Sequence, residues 1–194
     1  MAIMLDLETL GLHPGCVVMS IGAIKFDPLG ELPEIITVDN EPTVPDGFYE
    51  VIDIDDCVAH GLTIDPETKL WWQAQDGEVR DHLFSGNGLP LAEVATRFNE
   101  WYPDPQETVW ANGASFDQPI WQTACLAANS SVPWNYRRVR DCRTVFDLSF
   151  GEDYSLYRNG PYPRHHALFD CYRQIGMVQA CFRKLGINPK VAAH

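Results

Sequence analysis

Asp6 and Glu8 stand two residues apart at the end of an almost wholly apolar run, Ala2-Ile-Met-Leu-Asp-Leu-Glu. Side chains alternate along an extended strand, so both carboxylates leave the same face. Two carboxylates side by side at the mouth of a buried strand repel each other. They must be protonated, paired with a base or neutralised by a cation. No Lys or Arg occurs before Lys25. A hard divalent cation such as Mg²⁺ or Mn²⁺ prefers oxygen ligands and is the economical solution. A solvated strand end is the plainer alternative for an Asp-x-Glu pair taken alone.

Two further stretches carry chemistry. Asn112-Gly-Ala-Ser-Phe-Asp117 lies between a short apolar strand and a helical segment, and Asp117 falls in the first turn of that helix. An acid there is favoured by the helix dipole, and it is also fixed at a strand end, where α/β sites gather. The third stretch is His165-His-Ala-Leu-Phe-Asp170. On a helix Asp170 points off the buried face, and residues five apart diverge by roughly 140°. His165 and Asp170 therefore converge only if His165 sits in the loop before the helix. Pro161 and Pro163 favour such a loop.

The elements that must position these groups follow from hydrophobic periodicity. Residues 2–7 suit a buried central strand, 17–26 a second strand, and 34–38 a third, in a meander. The acidic stretch 39–65 reads as loop with short turns. Pro66 opens a helix through Gln75. Residues 90–102 show helical spacing, 108–111 a short strand, and Ser115 with Gln118 a capping box starting a helix to about residue 128. Residues 144–149 form a short helix. A stripe from Leu168 to Leu185 marks the last helix, ended by Gly186 and Asn188-Pro189. Strands first, then helices alternating with strands, indicate one α/β domain over 1–194.

Composition narrows the function classes. The net charge is −13, from 27 acids against 14 Lys plus Arg, which excludes a basic DNA-coating protein. No apolar run reaches the roughly 18 residues of a membrane span, and the N-terminal residues lack a basic flank, so a soluble, cytoplasmic protein is expected. The six cysteines show no metal-ligand spacing and read as buried, reduced thiols. The charge is uneven: residues 1–136 carry 22 acids and 4 bases, residues 137–194 carry 5 acids and 10 bases. Arg137, Arg138, Arg140 and Arg143 crowd together, so an anionic substrate could be met locally; a solvated loop fits equally.

Asp-Leu-Glu-Thr-Leu-Gly (6–11), Asn-Gly-Ala-Ser-Phe-Asp (112–117) and His-His-Ala-Leu-Phe-Asp (165–170) stand in the order of the three exonuclease motifs. Together they resemble the DEDDh subgroup of the DnaQ-like 3′–5′ exonucleases, near a compact branch of phage exonucleases and a bacterial exoribonuclease. Ser20-Ile-Gly-Ala23, Gly61-Leu-Thr-Ile-Asp65 with Trp71-Trp72, and Trp110-Ala111 add to the likeness. The resemblance implies an RNase H-like fold, a mixed five-stranded sheet flanked by helices. It implies that Asp6, Glu8, Asp117 and Asp170 hold two divalent cations, Mg²⁺ or Mn²⁺, with His165 as general base through the His-x-Ala-x-x-Asp register. The sister subgroup has Tyr four residues before the last Asp; here that position is His166. Thr9 to Gly11 and Asn112 would meet the terminal nucleotide, Leu10 or Leu12 would wedge near its base, and Trp72 and Phe116 would stack. The implied partners are 3′ ends of DNA or RNA, with no membrane, and dimerisation is common among relatives. A catalytically silent nucleic-acid-binding module and an RNase H-like endonuclease are the competing readings.

Overall fold

The apolar run at the start of the chain forms β1 (Ala2–Thr9), the central strand of a five-stranded sheet. This computed structural model describes residues 1–38, 41–75, 77–102, 104–151 and 162–187. β1 pairs antiparallel with β2 (Val18–Phe26), and β2 antiparallel with β5 (Phe48–Val51). On its other side β1 pairs parallel with β6 (Thr108–Ala111), and β6 with β7 (Val139–Asp141). The order is β5-β2-β1-β6-β7, the mixed five-stranded sheet that the resemblance implies.

Two expectations about residues 34–65 fail. Residues 36–38 do not extend the sheet as the third strand of a meander. They form β3 (Ile36–Val38), a separate hairpin with β4 (Glu41–Thr43). The partner of β2 comes instead from the acidic stretch read as loop, which also holds α1 (Ile54–Ala59). The acids there have structural work. Asp53 caps α1 by accepting from the Asp56 N–H (3.0 Å), Asp55 and Asp56 lie in its first turn, and Glu50 of β5 accepts from Arg97 (3.0 Å). Counting charges hid both the strand and the helix.

α2 (Pro66–Gln73) begins at its proline as expected, with Asp65 as cap; α3 (Gly77–Leu83) was not foreseen. α4 (Leu91–Trp101) and α5 (Asp117–Ala127) follow their apolar spacing. The capping box at Ser115 does not form. Phe116 is the cap residue, with no side-chain hydrogen bond, and the Phe116 N–H donates to the Gly113 carbonyl (2.7 Å) instead. Gly113 adopts φ +120°, open to glycine but strained for other residues, so a backbone turn replaces the serine cap. After a 3₁₀ turn (Tyr136–Arg138) and β7 come α6 (Cys142–Phe150) and α7 (Ala167–Lys184), which is closed by Gly186. Pro161 and Asn188-Pro189 lie outside the described residues.

Helices cover both faces of the sheet. Ile3, Leu5 and Leu7 of β1 point into a core with α4 and α5, while Ala2 and Met4 point into a second core with α6 and α7. Period-two alternation places Asp6 and Glu8 in the Ala2–Met4 row, facing α7. All six cysteines are free and buried. Among the described residues, no helix is long and apolar enough to cross a membrane.

Gly22 lets α7 approach. It is the cross-strand neighbour of Asp6, and a Cβ there would stand 2.4 Å from the backbone of Ala167 and Leu168. Gly22→Ala is expected to push α7 off the sheet, at about 1–3 kcal/mol. With a melting-temperature shift of about 2–4 °C per kcal/mol for a chain this long, a thermal melt checks it. An unshifted melt would mean that the helix start yields freely.

Candidate active site

The three sequence stretches meet at the C-terminal ends of β1 and β6. Glu8 from β1, Asp170 from the first turn of α7 and His165 from the loop before it each offer a ligand atom within 4.8 Å of the others. Asp6 and Asp117 stand outside that tightest group but press on it. Burial, then Asp117, Asp170 and Glu8, push the Asp6 carboxyl well above the usual carboxylate range. Burial, then Asp170 and Asp117, do the same to Glu8. Asp117 is pushed up to about 7 by burial, against the pull of the Leu7 N–H and of Arg143.

Each carboxylate is held by its element. The Leu7 N–H of β1 donates to Asp117 Oδ1 (3.2 Å), tying the start of α5 to the strand that carries Asp6 and Glu8. Gln174, one turn beyond Asp170 on α7, donates to Asp6 Oδ1 (2.7 Å). Arg173 pairs with Asp170 through Nε (3.1 Å) and through Nη2. It also donates to the carbonyls of Tyr162 (3.3 Å) and Pro163 (3.1 Å), so one guanidinium anchors the loop that carries His165. Sequence reading missed Arg173 and Gln174. Their spacing of three and four residues from Asp170 places them on its side of the helix, which is the signal that could have found them.

His165 sits in the loop before α7, as its convergence with Asp170 requires. Its backbone takes φ +59°, rare for a residue with a side chain. Its half-buried ring packs edge-on against Trp71 (5.0 Å) and Trp72 (6.0 Å), and burial lowers its pKa. His166 turns elsewhere. Its ring stacks on Tyr49 (4.2 Å) and packs on Phe169 (4.6 Å), and burial pushes its pKa down to about 4. Of the doubled histidines, the structure brings His165 to the carboxylates.

Beside the carboxylates opens a cleft of about 450 Å³, lined by Glu8, Thr9, Leu12, Trp71, Trp72 and Phe116 among others. Two substrate-contact expectations change here. Trp72 is 1% exposed, its indole N–H donating to the Thr9 carbonyl (2.9 Å), whereas Trp71 is 46% exposed; Trp71 has the free ring surface. Leu10 is 0% exposed and Leu12 61%, so Leu12 alone can reach a ligand. Helix phase decided the first and the turn after β1 the second. Thr9 Oγ1 donates to the Gly11 carbonyl (2.7 Å), fixing the turn under the cleft. Gly11 itself packs too tightly against Cys16 to admit a Cβ. Asn112 Oδ1 is buried without a partner among the described residues.

The donor set suits a hard cation. Oxygen ligands dominate, and the carboxyls, raised first by burial and then by one another's charge, are disfavoured as bare anions. Arg173 supplies part of it from the side, lowering Glu8 against the larger upward push.

Among curated protein sequences none matches this chain. Similar solved structures include exonuclease I with product bound, at 14% identity and TM-score 0.61, covering 95% of this chain and 43% of that one. Another is E. coli exonuclease I in complex with a dT13 oligonucleotide, at 14% identity and TM-score 0.59, covering 96% of this chain and 42% of that one. The chain spans less than half the length of these proteins, and the likeness establishes the fold, which is RNase H-like. A family model for a 3′–5′ exoribonuclease Rv2179c-like domain matches residues 1–182, from the Met1 end of β1 to the last turn of α7. With all three motif stretches inside that match, the chain belongs to the Rv2179c-like 3′–5′ exoribonuclease domain family.

Proposed function

We propose that this chain, as one domain, is a metal-dependent 3′–5′ exonuclease of the DEDDh type. It hydrolyses the terminal phosphodiester of single-stranded RNA or DNA and releases nucleoside 5′-monophosphates. The observation that carries this reading is the convergence of Glu8, Asp170 and His165 within 4.8 Å, beside the buried Asp117 and the raised Asp6.

Asp6, Glu8, Asp117 and Asp170 would hold two divalent cations, Mg²⁺ or Mn²⁺. When bound, these supply the Lewis-acid charge that activates a water and offsets the charge growing on the leaving 3′ oxygen. The chain's own residues do the rest. His165, kept neutral near pH 7 by burial, takes the proton of the attacking water. The new P–O bond forms as the P–O3′ bond breaks, and the shortened strand leaves with a 3′ hydroxyl protonated from solvent. Arg173 holds the 162–166 loop so that His165 stays aimed. Trp71, Phe116 and Leu12 line the cleft with Thr9 and would meet the terminal base and sugar; Gly11 and Asn112 would shape the turns beside them. Stacking tolerates any base.

Trp71→Ala is expected to weaken binding by about 1–3 kcal/mol per stacked base, read as a raised KM with kcat little changed. A fall in kcat at constant KM would place the ring in the chemistry instead.

A 5′-labelled single strand incubated with Mn²⁺ tests the activity itself, with matched RNA and DNA. The expected product is a ladder shortening one nucleotide at a time. Internal cuts would favour the endonuclease, and a mobility shift without shortening the silent binding module. Chelation should stop the ladder, and re-added Mn²⁺ restore it.

A further inference from the structure

Apart from the pull of Arg143 on Asp117, the arginine-rich stretch is unused by the site described above. Arg137 and Arg138 lie in the 3₁₀ turn entering β7, Arg140 within β7, and Arg143 in the first turn of α6 beyond it. β7 is the outermost strand, paired only with β6 among the described residues. It runs parallel to β1 and β6, so its end opens on the same side as Glu8 and Asp117. There the Arg143 guanidinium reaches the active-site turn: a Cβ built on Gly113 would be 3.3 Å from its Cζ.

Among the described residues none of the four arginines pairs with an acidic side chain. Arg138 donates to Gln106 Oε1 (2.9 Å), and Arg140 to the carbonyls of Arg137 (3.0 Å) and Val139 (2.8 Å). Arg137 Nε donates to the Tyr136 hydroxyl (3.0 Å) and its guanidinium lies over that ring, which is 76% exposed. Asp141, the one acid within the stretch, is turned to the α6 backbone, accepting from the Arg143 N–H (2.8 Å). Four like charges along one edge repel one another, and a phosphate chain relieves that repulsion. Residues 1–136 carry 22 acids against 4 bases, which disfavours a polyanion over that part of the chain.

Resting on the nuclease reading of the site, we propose that the β7 edge from Tyr136 to Arg143 is a phosphate track. It holds single-stranded nucleic acid upstream of the 3′ end. Guanidinium groups grip phosphates through paired N–H donors, and an exposed tyrosine beside an arginine offers a stacking platform. The track explains how an acidic protein retains a polyanion longer than its cleft.

The test uses Asp6→Asn protein in chelator, so that nothing is cut, with 5′-labelled 3-mers and 12-mers read by fluorescence anisotropy. Arg137→Ala, Arg138→Ala and Arg140→Ala are combined in that background; Arg143 is kept because it adjoins Asp117. The 12-mer should bind about tenfold more weakly, and its log K against log salt slope should flatten by about 2. The 3-mer should bind as before. The corresponding triple Lys variant should recover most of the 12-mer affinity, which a misfolded edge could not. Equal losses on both lengths, no loss on either, or no 12-mer binding at all would overturn the track. Displacement of the 12-mer by polyglutamate as well as by unlabelled strand would assign the edge to an acidic protein partner instead. Should the wild-type protein release no mononucleotide, the nuclease reading falls, while the length dependence still decides the track.

Discussion

Asp6→Asn is expected to abolish hydrolysis and, at the same time, to raise the melting temperature of the metal-free protein. The two effects share a cause. Asp6 is forced into a buried pocket beside Glu8, Asp117 and Asp170, and its carboxyl is pushed up by burial and by their charges. A carboxyl whose folded pKa lies above its unfolded value binds more protons in the native state across the interval between them. Stability therefore falls as pH rises through that interval. For Asp117 the interval runs from the ordinary carboxylate value of about 4 up to about 7. Metal-free protein should thus lose stability between mildly acidic and neutral pH, and asparagine removes one of the repelling charges. The Gln174 amide that donates to Asp6 Oδ1 still finds an acceptor in the asparagine carbonyl.

His165 and His166 work in the opposite direction. Burial lowers both, so their contribution is present above the ordinary imidazole value of about 6.5 and is lost as pH falls below it. The diagnostic is consequently the difference between wild type and variant across pH 5 to 8, measured with chelator. That difference should widen toward pH 8 and shrink when Mn²⁺ is added to the wild type. Each kcal/mol of relieved repulsion appears as about 2–4 °C. An Asp6→Asn protein that still hydrolyses, or one that melts below wild type throughout, would remove the shared cation site.

The second large effect is expected at His165. A positioned general base contributes about 10²–10⁴ in rate, so His165→Ala should lose that factor in kcat while still binding Mn²⁺ and nucleotide. The acid limb of the wild-type pH–rate profile should lie below about 6.5, since burial lowers the imidazole, and it should vanish in the variant. His166→Phe is the control. The His166 ring stacks on Tyr49 and Phe169, away from the carboxylates, and an aromatic replacement preserves that packing. It should keep most of the rate. The reverse result, with His166→Phe inactive and His165→Ala active, would show that the register has been read one residue out.

Periodicity already gave the directions of several candidate site residues, and the resemblance to the exonuclease motifs grouped them into one site. The β1 run set Asp6 and Glu8 on one face, because strand alternation is a local property of the backbone. The apolar stripe of α7 set Asp170 to one side of it, and the divergence of residues five apart required His165 to lie in a loop. These are short-range facts, and the structure keeps them. What came only from tertiary packing concerns partners distant in sequence. β5 and α1 hide inside an acidic stretch because those acids cap a helix or meet Arg97, contacts that a charge count does not reveal. The serine of the apparent capping box is set aside by a backbone turn at Gly113. Which of Trp71 and Trp72 is buried depends on how α2 is rotated against the core, and which of Leu10 and Leu12 on the path of the turn after β1. Arg173 and Gln174 enter the site because Gly22 lets α7 lie close on β2, and no pattern within the helix itself records that distance. The directions of the candidate site residues were thus set by local geometry, and the groups that hold them in place by long-range packing, which is where close-packed interiors select one arrangement.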